Sequence, residues 1–99
     1  MKNKKKVVYI SGPMKGYPEL NKPAFMAAEK MLKKKGLLVR NPASIVGWPD
    51  SDYRWYLTQA IVMMMKTDRI FMLDGWERSK GSCAESVLAD ALGIERLDI

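Results

Sequence analysis

The sequence contains no histidine. That removes the side chain that titrates nearest neutral pH, the base of a Ser-His triad and the commonest nitrogen ligand of zinc. A single cysteine, Cys83, excludes an intrachain disulfide and suits a reducing compartment. No apolar run approaches the roughly 18 residues that cross a bilayer. The basic opening MKNKKK leads only into Val7–Ile10 before Ser-Gly-Pro interrupts, which is too short for a secretory signal. A cytoplasmic protein without a membrane segment is expected. Neither G-x-x-x-x-G-K-[ST] nor G-x-G-x-x-G occurs, and the acidic residues do not cluster at metal-ligand spacing. P-loop and dinucleotide chemistry are therefore excluded, and neither a metal nor a cofactor is expected. Repeats, linkers and low-complexity segments are absent as well, so one domain spanning residues 1–99 is expected.

What is present is an ordinary apolar and charged balance with an excess of cations, formal net charge +6. Two lysine runs, Lys4–Lys6 and Lys33–Lys35, carry much of it. Solvated surface explains both runs, and the second also suits a helix C-terminus. The positive field favours anionic ligands, nucleotides among them. No helix-turn-helix, zinc-finger or RNA-binding signature accompanies it, so a nucleic-acid or protein-interaction domain is the least favoured reading.

Strand and helix patterns alternate. KVVYIS (6–11) is β-branched and aromatic, as a buried strand should be. A Gly- and Pro-punctuated loop follows, then a helix capped by Asn21 and running to about Lys35, with Phe25, Ala28 and Leu32 on one face and Gly36 as its stop. LLVRN (37–41) reads as the second strand. After a long loop containing Trp48, Ser51 or Asp52 caps a helix from about Tyr53 to Lys66, with Leu57, Ile61 and Met64 at the helical period. Its Met63–Met65 run reads as core or subunit interface. RIFML (69–73) is the third strand, a helix from about Lys80 to Leu92 ends at Gly93, and IERLDI offers a short last strand. This order predicts a small parallel sheet with helices on both faces, whose ligand site lies beyond the C-terminal strand ends. Four segments converge there: SGPMKGYP, NPASIVGWP, DGWERSKG and the start of the last helix.

The segment GWERSKGSCAES (75–86) admits two readings. Ser82 and Glu85 have the S-x-x-E spacing of a capping box. Alternatively Ser79, Gly81 and Ser82 present donors to an anion at a helix N-terminus while Glu85 faces a ligand. Tyr9 ends the first strand beside this region. Asn41-Pro42 reads equally as a strand-end turn or a site element, and Trp48 and Trp76 as loop packing or base-stacking surfaces. Asp68, Asp74 and Glu77 read as turn and solvent-facing carboxylates.

Y-I-S-G-P-M (9–14), N-P-A (41–43) and G-W-E-x-S-x-G-x-x-x-E (75–85), taken in order, resemble a small group of phage and bacterial proteins without an assigned function. That group belongs to the nucleoside 2-deoxyribosyltransferase-like superfamily, and the likeness extends over nearly the whole chain. The resemblance implies a flavodoxin-like, Rossmann-like α/β three-layer sandwich with about four parallel strands, in a homodimer or larger homo-oligomer. It implies cleavage or exchange of an N-glycosidic bond in a nucleoside or nucleotide, with Glu85 as nucleophile oriented by Tyr9. Ser79 stands where relatives acting on nucleoside 5′-monophosphates carry a phosphate-contacting serine. Gly12, Pro13, Met14, Asn41, Asp74, Trp76, Gly81 and Ser82 complete the expected substrate-binding set. The superfamily's aspartate of the second helix falls on Ala60, which leaves a non-catalytic nucleotide-binding module as the alternative, or Asp74 as a substitute acid.

Overall fold

The computed structural model describes residues 6–45 and 53–98. Expectations about Trp48 and about a helix cap at Ser51 or Asp52 lie outside the described residues. Among the described residues four strands and three α-helices alternate: β1 (Val7–Ser11), α1 (Lys22–Lys34), β2 (Leu38–Arg40), α2 (Tyr53–Met64), β3 (Arg69–Met72), α3 (Lys80–Leu92) and β4 (Glu95–Arg96). Short 3-10 turns occupy Pro18–Asn21, Pro42–Ser44 and Trp76–Arg78.

All strand pairs are parallel, in the order β2-β1-β3-β4, with Tyr9 opposite both Arg40 and Ile70, and Ser11 opposite Met72. The step from β1 to β2 runs one way across the sheet and the steps from β2 to β3 to β4 run the other. Right-handed crossovers therefore send α1 to one face and α2 and α3 to the opposite face. The expected α/β flavodoxin-like sandwich is the fold observed. Strand order reverses at β1 and β3, so the crevice for a ligand opens past Ser11 and Met72.

Side chains alternate along β1. Val8 and Ile10 serve the face covered by α1, where Phe25, Ala28 and Leu32 are buried as their spacing predicts. Tyr9 and Ser11 point to the other face and reach α3. On α2 the buried residues are Tyr56, Ala60 and Met64. Leu57 and Ile61 are only half-buried, so the inward face is turned from the expected Leu57, Ile61, Met64 stripe toward Tyr56 and Ala60, with Met64 common to both. Tyr56 and Ala60 take the central places, and Tyr56 carries its hydroxyl inward to bond Met14 and Pro42.

The helix ends follow local chemistry. α1 closes with a Schellman motif, in which Leu37 N–H donates to the Leu32 carbonyl and Gly36 N–H to the Lys33 carbonyl, with Gly36 at φ 86°. At its start Asn21 makes no side-chain cap; its Nδ2 donates to the Pro13 carbonyl at 2.9 Å, because Asn21 itself is left-handed (φ 62°) and turns its amide toward the preceding loop. Asp68 has a structural task, accepting Val7 N–H at 3.0 Å and so fixing the start of β1.

Candidate active site

Of the two readings of residues 75–86, the Ser82–Glu85 capping box does not form. Ser79 is the N-cap of α3, its Oγ accepting Ser82 N–H at 3.2 Å and its carbonyl accepting Cys83 N–H at 2.9 Å. Glu85 is thereby released from capping. One turn into α3, it points at β1, where Tyr9 Oη donates to Oε2 and Ser11 Oγ to Oε1, each at 2.6 Å. Such short hydroxyl-to-carboxylate bonds are charge-assisted and stronger than neutral ones.

Glu85 is 5% exposed, and among the described residues no cation forms a salt bridge with it. Burial raises its proton affinity, and the Ser11 and Tyr9 hydroxyls pull the other way by solvating the anion. Burial, then the neighbouring Glu85 charge and the hydrogen bond to it, push the Tyr9 phenol well above its ordinary range, so Tyr9 stays a donor. Tyr53 and Tyr56 are raised too, by burial first and then by Glu85, and remain protonated.

Glu85, Tyr9, Tyr53 and Tyr56 line a cavity of about 500 Å³ past the ends of β1 and β3, within the usual range for small-molecule sites of ~300–1,000 Å³. Gly12, Pro13 and Met14 form one wall, Pro42 and the side chains of Tyr53, Tyr56 and Leu57 a second, and the first turn of α3 with Ser79, Gly81 and Ser82 a third. Tyr9 and Glu85 lie at the sheet end, while exposed Lys15, Arg78 and Lys80 add positive charge to the wall. Ser82 is 2% exposed, and its Oγ is the one buried side-chain oxygen without a hydrogen-bond partner among the described residues. An orphan hydroxyl in a cavity wall, beside the N–H groups of a helix start, suits an anionic ligand oxygen.

Three expected substrate-binding residues do not line the cavity. Asn41 spends its side chain on the chain's own turns: Oδ1 accepts Ala43 N–H at 2.9 Å, and Nδ2 donates to Glu29 Oε1 at 2.9 Å and to the Phe25 carbonyl. It shapes the wall indirectly by holding Pro42. Trp76 packs under the Arg96 guanidinium, 4.6 Å from the ring centroid, on the β4 side. Asp74 faces solvent ahead of the 3-10 turn and lines no part of the cavity. Ser11, Lys15, Tyr17, Tyr53, Tyr56 and Arg78 were not singled out from the sequence. Strand alternation alone places Ser11 on the Tyr9 face, whereas the tyrosines of α2 depend on how that helix rotates.

Among the described residues, no group of three or more Cys, Asp or Glu side chains could hold a metal ion, and no helix is long and apolar enough to cross a membrane. No curated protein matches the sequence. Residues 6–97 match the family described as "Domain of unknown function (DUF4406)", and the chain belongs to that family.

Proposed function

We propose that the protein cleaves or transfers the N-glycosidic bond of a nucleoside 5′-monophosphate or a related nucleoside derivative, with Glu85 as nucleophile, as a member of the nucleoside 2-deoxyribosyltransferase-like superfamily. One observation carries this reading: a buried carboxylate, fixed by two hydroxyls and without a cationic partner among the described residues, opens onto a ligand-sized cavity. An unpaired buried anion is costly to a fold. It becomes useful when positive charge develops beside it, and glycosidic cleavage passes through an oxocarbenium-like transition state.

In this reading Glu85 attacks the anomeric carbon and holds the sugar covalently until water or an acceptor base releases it. Tyr9 keeps the carboxylate aimed. Ser79, Gly81 and Ser82 receive the 5′-phosphate at the start of α3, aided by the helix dipole and by Lys15, Arg78 and Lys80. Tyr53, Tyr56, Met14 and Leu57 offer aromatic and apolar surface to sugar and base.

A specific observation favours the alternative of a nucleotide-binding module without turnover. Among the described residues Glu85 is the single carboxylate in the cavity wall, and Ala60 is fully buried within α2. Glycosidic cleavage normally recruits two acid/base groups. The deciding experiment incubates the wild type and Glu85→Gln with a panel of nucleosides and their 5′-monophosphates and resolves free base by chromatography. The enzyme reading expects base from monophosphates with the wild type and a loss of at least ~10³-fold in the variant, as for other nucleophile removals. Base from no candidate, with equal thermal stabilisation of both proteins by a nucleotide, establishes the binding module instead.

A further inference from the structure

Both oxygens of Glu85 are engaged, but from different surroundings. Tyr9, the donor to Oε2, belongs to the cavity wall. Ser11, the donor to Oε1, is fully buried and not part of that wall. Its backbone is pinned as well, since Ser11 pairs with Met72 across the sheet and its carbonyl accepts Leu73 N–H at 2.8 Å. A ligand entering the cavity can compete for the Tyr9 side of the carboxylate but not for the Ser11 side.

From this we infer that Ser11 is a positioning residue: its hydroxyl anchors Oε1 from the sheet side and leaves Oε2 as the oxygen presented to the anomeric carbon. The inference rests on the nucleophile reading of Glu85. In the first step the Oε2–carbon bond forms as the carbon–nitrogen bond breaks; the electron pair leaves on the base, which takes a proton from water. In the second step a water oxygen bonds the same carbon, the carbon–Oε2 bond breaks with its pair returning to Glu85, and the released proton returns to solvent. One water molecule is consumed. Charge reappears on the carboxylate during the second step, and a donor already fixed on Oε1 stabilises it without reorganisation. A carboxylate so held is a good leaving group, which favours hydrolysis of the glycosyl-enzyme over its accumulation.

Among the described residues the groups facing Glu85 are hydroxyls: Tyr9 and Ser11 from β1, Tyr53 and Tyr56 from α2, and Ser82 one turn earlier on α3. The cations of the same wall, Lys15, Arg78 and Lys80, are solvent-exposed. Removing one hydroxyl therefore takes away a large part of what solvates the anion.

The test follows Glu85 directly by NMR in protein labelled with ¹³C at glutamate side-chain carboxyls, its signal identified by its loss in Glu85→Gln. Ser11→Ala is expected to move the titration midpoint up by about one pH unit, a roughly tenfold gain in proton affinity. Ser11→Thr restores it. On a turned-over monophosphate, Ser11→Ala lowers kcat by about tenfold at unchanged KM and shifts the acid limb of the pH profile by the same amount. An unchanged midpoint in Ser11→Ala of native near-UV circular dichroism overturns the inference. Should Ser11→Ala fail to fold, Ser11→Cys, a near-isostere and weaker donor, decides on the same criterion. A shifted midpoint in a protein that releases no base supports the Ser11–Glu85 link while retiring the nucleophile reading, so the two failures remain distinguishable.

Discussion

The Tyr53 hydroxyl occupies the space into which a side chain on Gly81 would project: a Cβ there would lie 2.8 Å from Tyr53 Oη. The start of α2 thus rests on the first turn of α3 across the cavity, and glycine at position 81 permits the approach. Gly81 is not left-handed, so alanine is compatible with its backbone and, within a helix, is favoured over glycine by up to ~1 kcal/mol. The obstructing atom is the far end of an exposed side chain and can swing away. Gly81→Ala is therefore expected to leave thermal stability equal or slightly raised while weakening nucleotide binding several-fold, read by calorimetric titration beside a melting curve. Gly12→Ala should instead destabilise the fold. Its Cβ would meet Leu73 Cβ and Cδ1 at 2.8 Å, in the packed interior, and overpacking of that kind costs ~1–3 kcal/mol.

Glu85 should make the protein less stable as pH rises. Burial raises its folded-state proton affinity above that of an ordinary glutamate. Between the ordinary value and the higher folded one, the unfolded chain gives up its proton while the folded protein retains it, so stability falls with rising pH across the window and stays lower above it. Glu85→Gln removes the ionisation. Its melting temperature at pH 7–8 is expected to exceed that of the wild type by several degrees, at ~4–8 °C per kcal/mol for a domain of this size. The difference should shrink as both proteins are taken toward pH 4. A variant less stable than the wild type at neutral pH would mean that the two hydroxyl bonds outweigh burial.

The order of strands and helices was legible in the sequence because each element carries its own local signal. The α3 boundaries expected, about Lys80 to Leu92, match those observed, since Ser79 and Gly93 mark both ends by local chemistry. Glu85 and Tyr9 were reached through a motif, and the cavity places them together. What the sequence hid depended on tertiary choices. α2 is apolar on several sides, so spacing alone could not select the Tyr56, Ala60, Met64 face over the Leu57, Ile61, Met64 stripe. Asn41 looked available because its partners, Glu29 and Phe25, come from α1 and meet it only in the folded chain. Trp76 was drawn away by Arg96, whose position depends on β4 joining the sheet edge.

Between the loop 12–17 and α1 the chain turns through three consecutive left-handed residues, Glu19, Leu20 and Asn21, at φ 53°, 56° and 62°. Each non-glycine residue there costs roughly 1–2 kcal/mol relative to a right-handed one, less for asparagine. Glu19 is exposed, so Glu19→Gly relieves strain without losing packing. The greater unfolded-state freedom of glycine offsets ~0.5–1 kcal/mol of that relief. A net gain of about 0.5 kcal/mol is expected by denaturant titration. Asn21→Ala should lose ~1–2 kcal/mol, because it forfeits both the left-handed tolerance of asparagine and the bond to the Pro13 carbonyl. That bond supports the Gly12–Met14 wall of the cavity, so the same variant should also bind nucleotide more weakly.

Ser82 separates folding from ligand recognition more cleanly than any other residue of the site. Its Oγ is buried and without a partner among the described residues, so Ser82→Ala removes an unsatisfied polar atom and should leave the free protein as stable or up to ~1–2 kcal/mol more so. Ser79→Ala, by contrast, removes the N-cap of α3 and should cost ~1 kcal/mol whatever the ligand. If the Ser82 hydroxyl is held in reserve for a phosphate oxygen, Ser82→Ala lowers affinity for a nucleoside 5′-monophosphate by about tenfold, the value of one hydrogen bond to a charged group. Affinity for the matching nucleoside should stay unchanged. Measured together, the two ligands isolate the phosphate contact from any general loosening of the cavity. Equal weakening of both would place the Ser82 hydroxyl against the sugar instead of the phosphate.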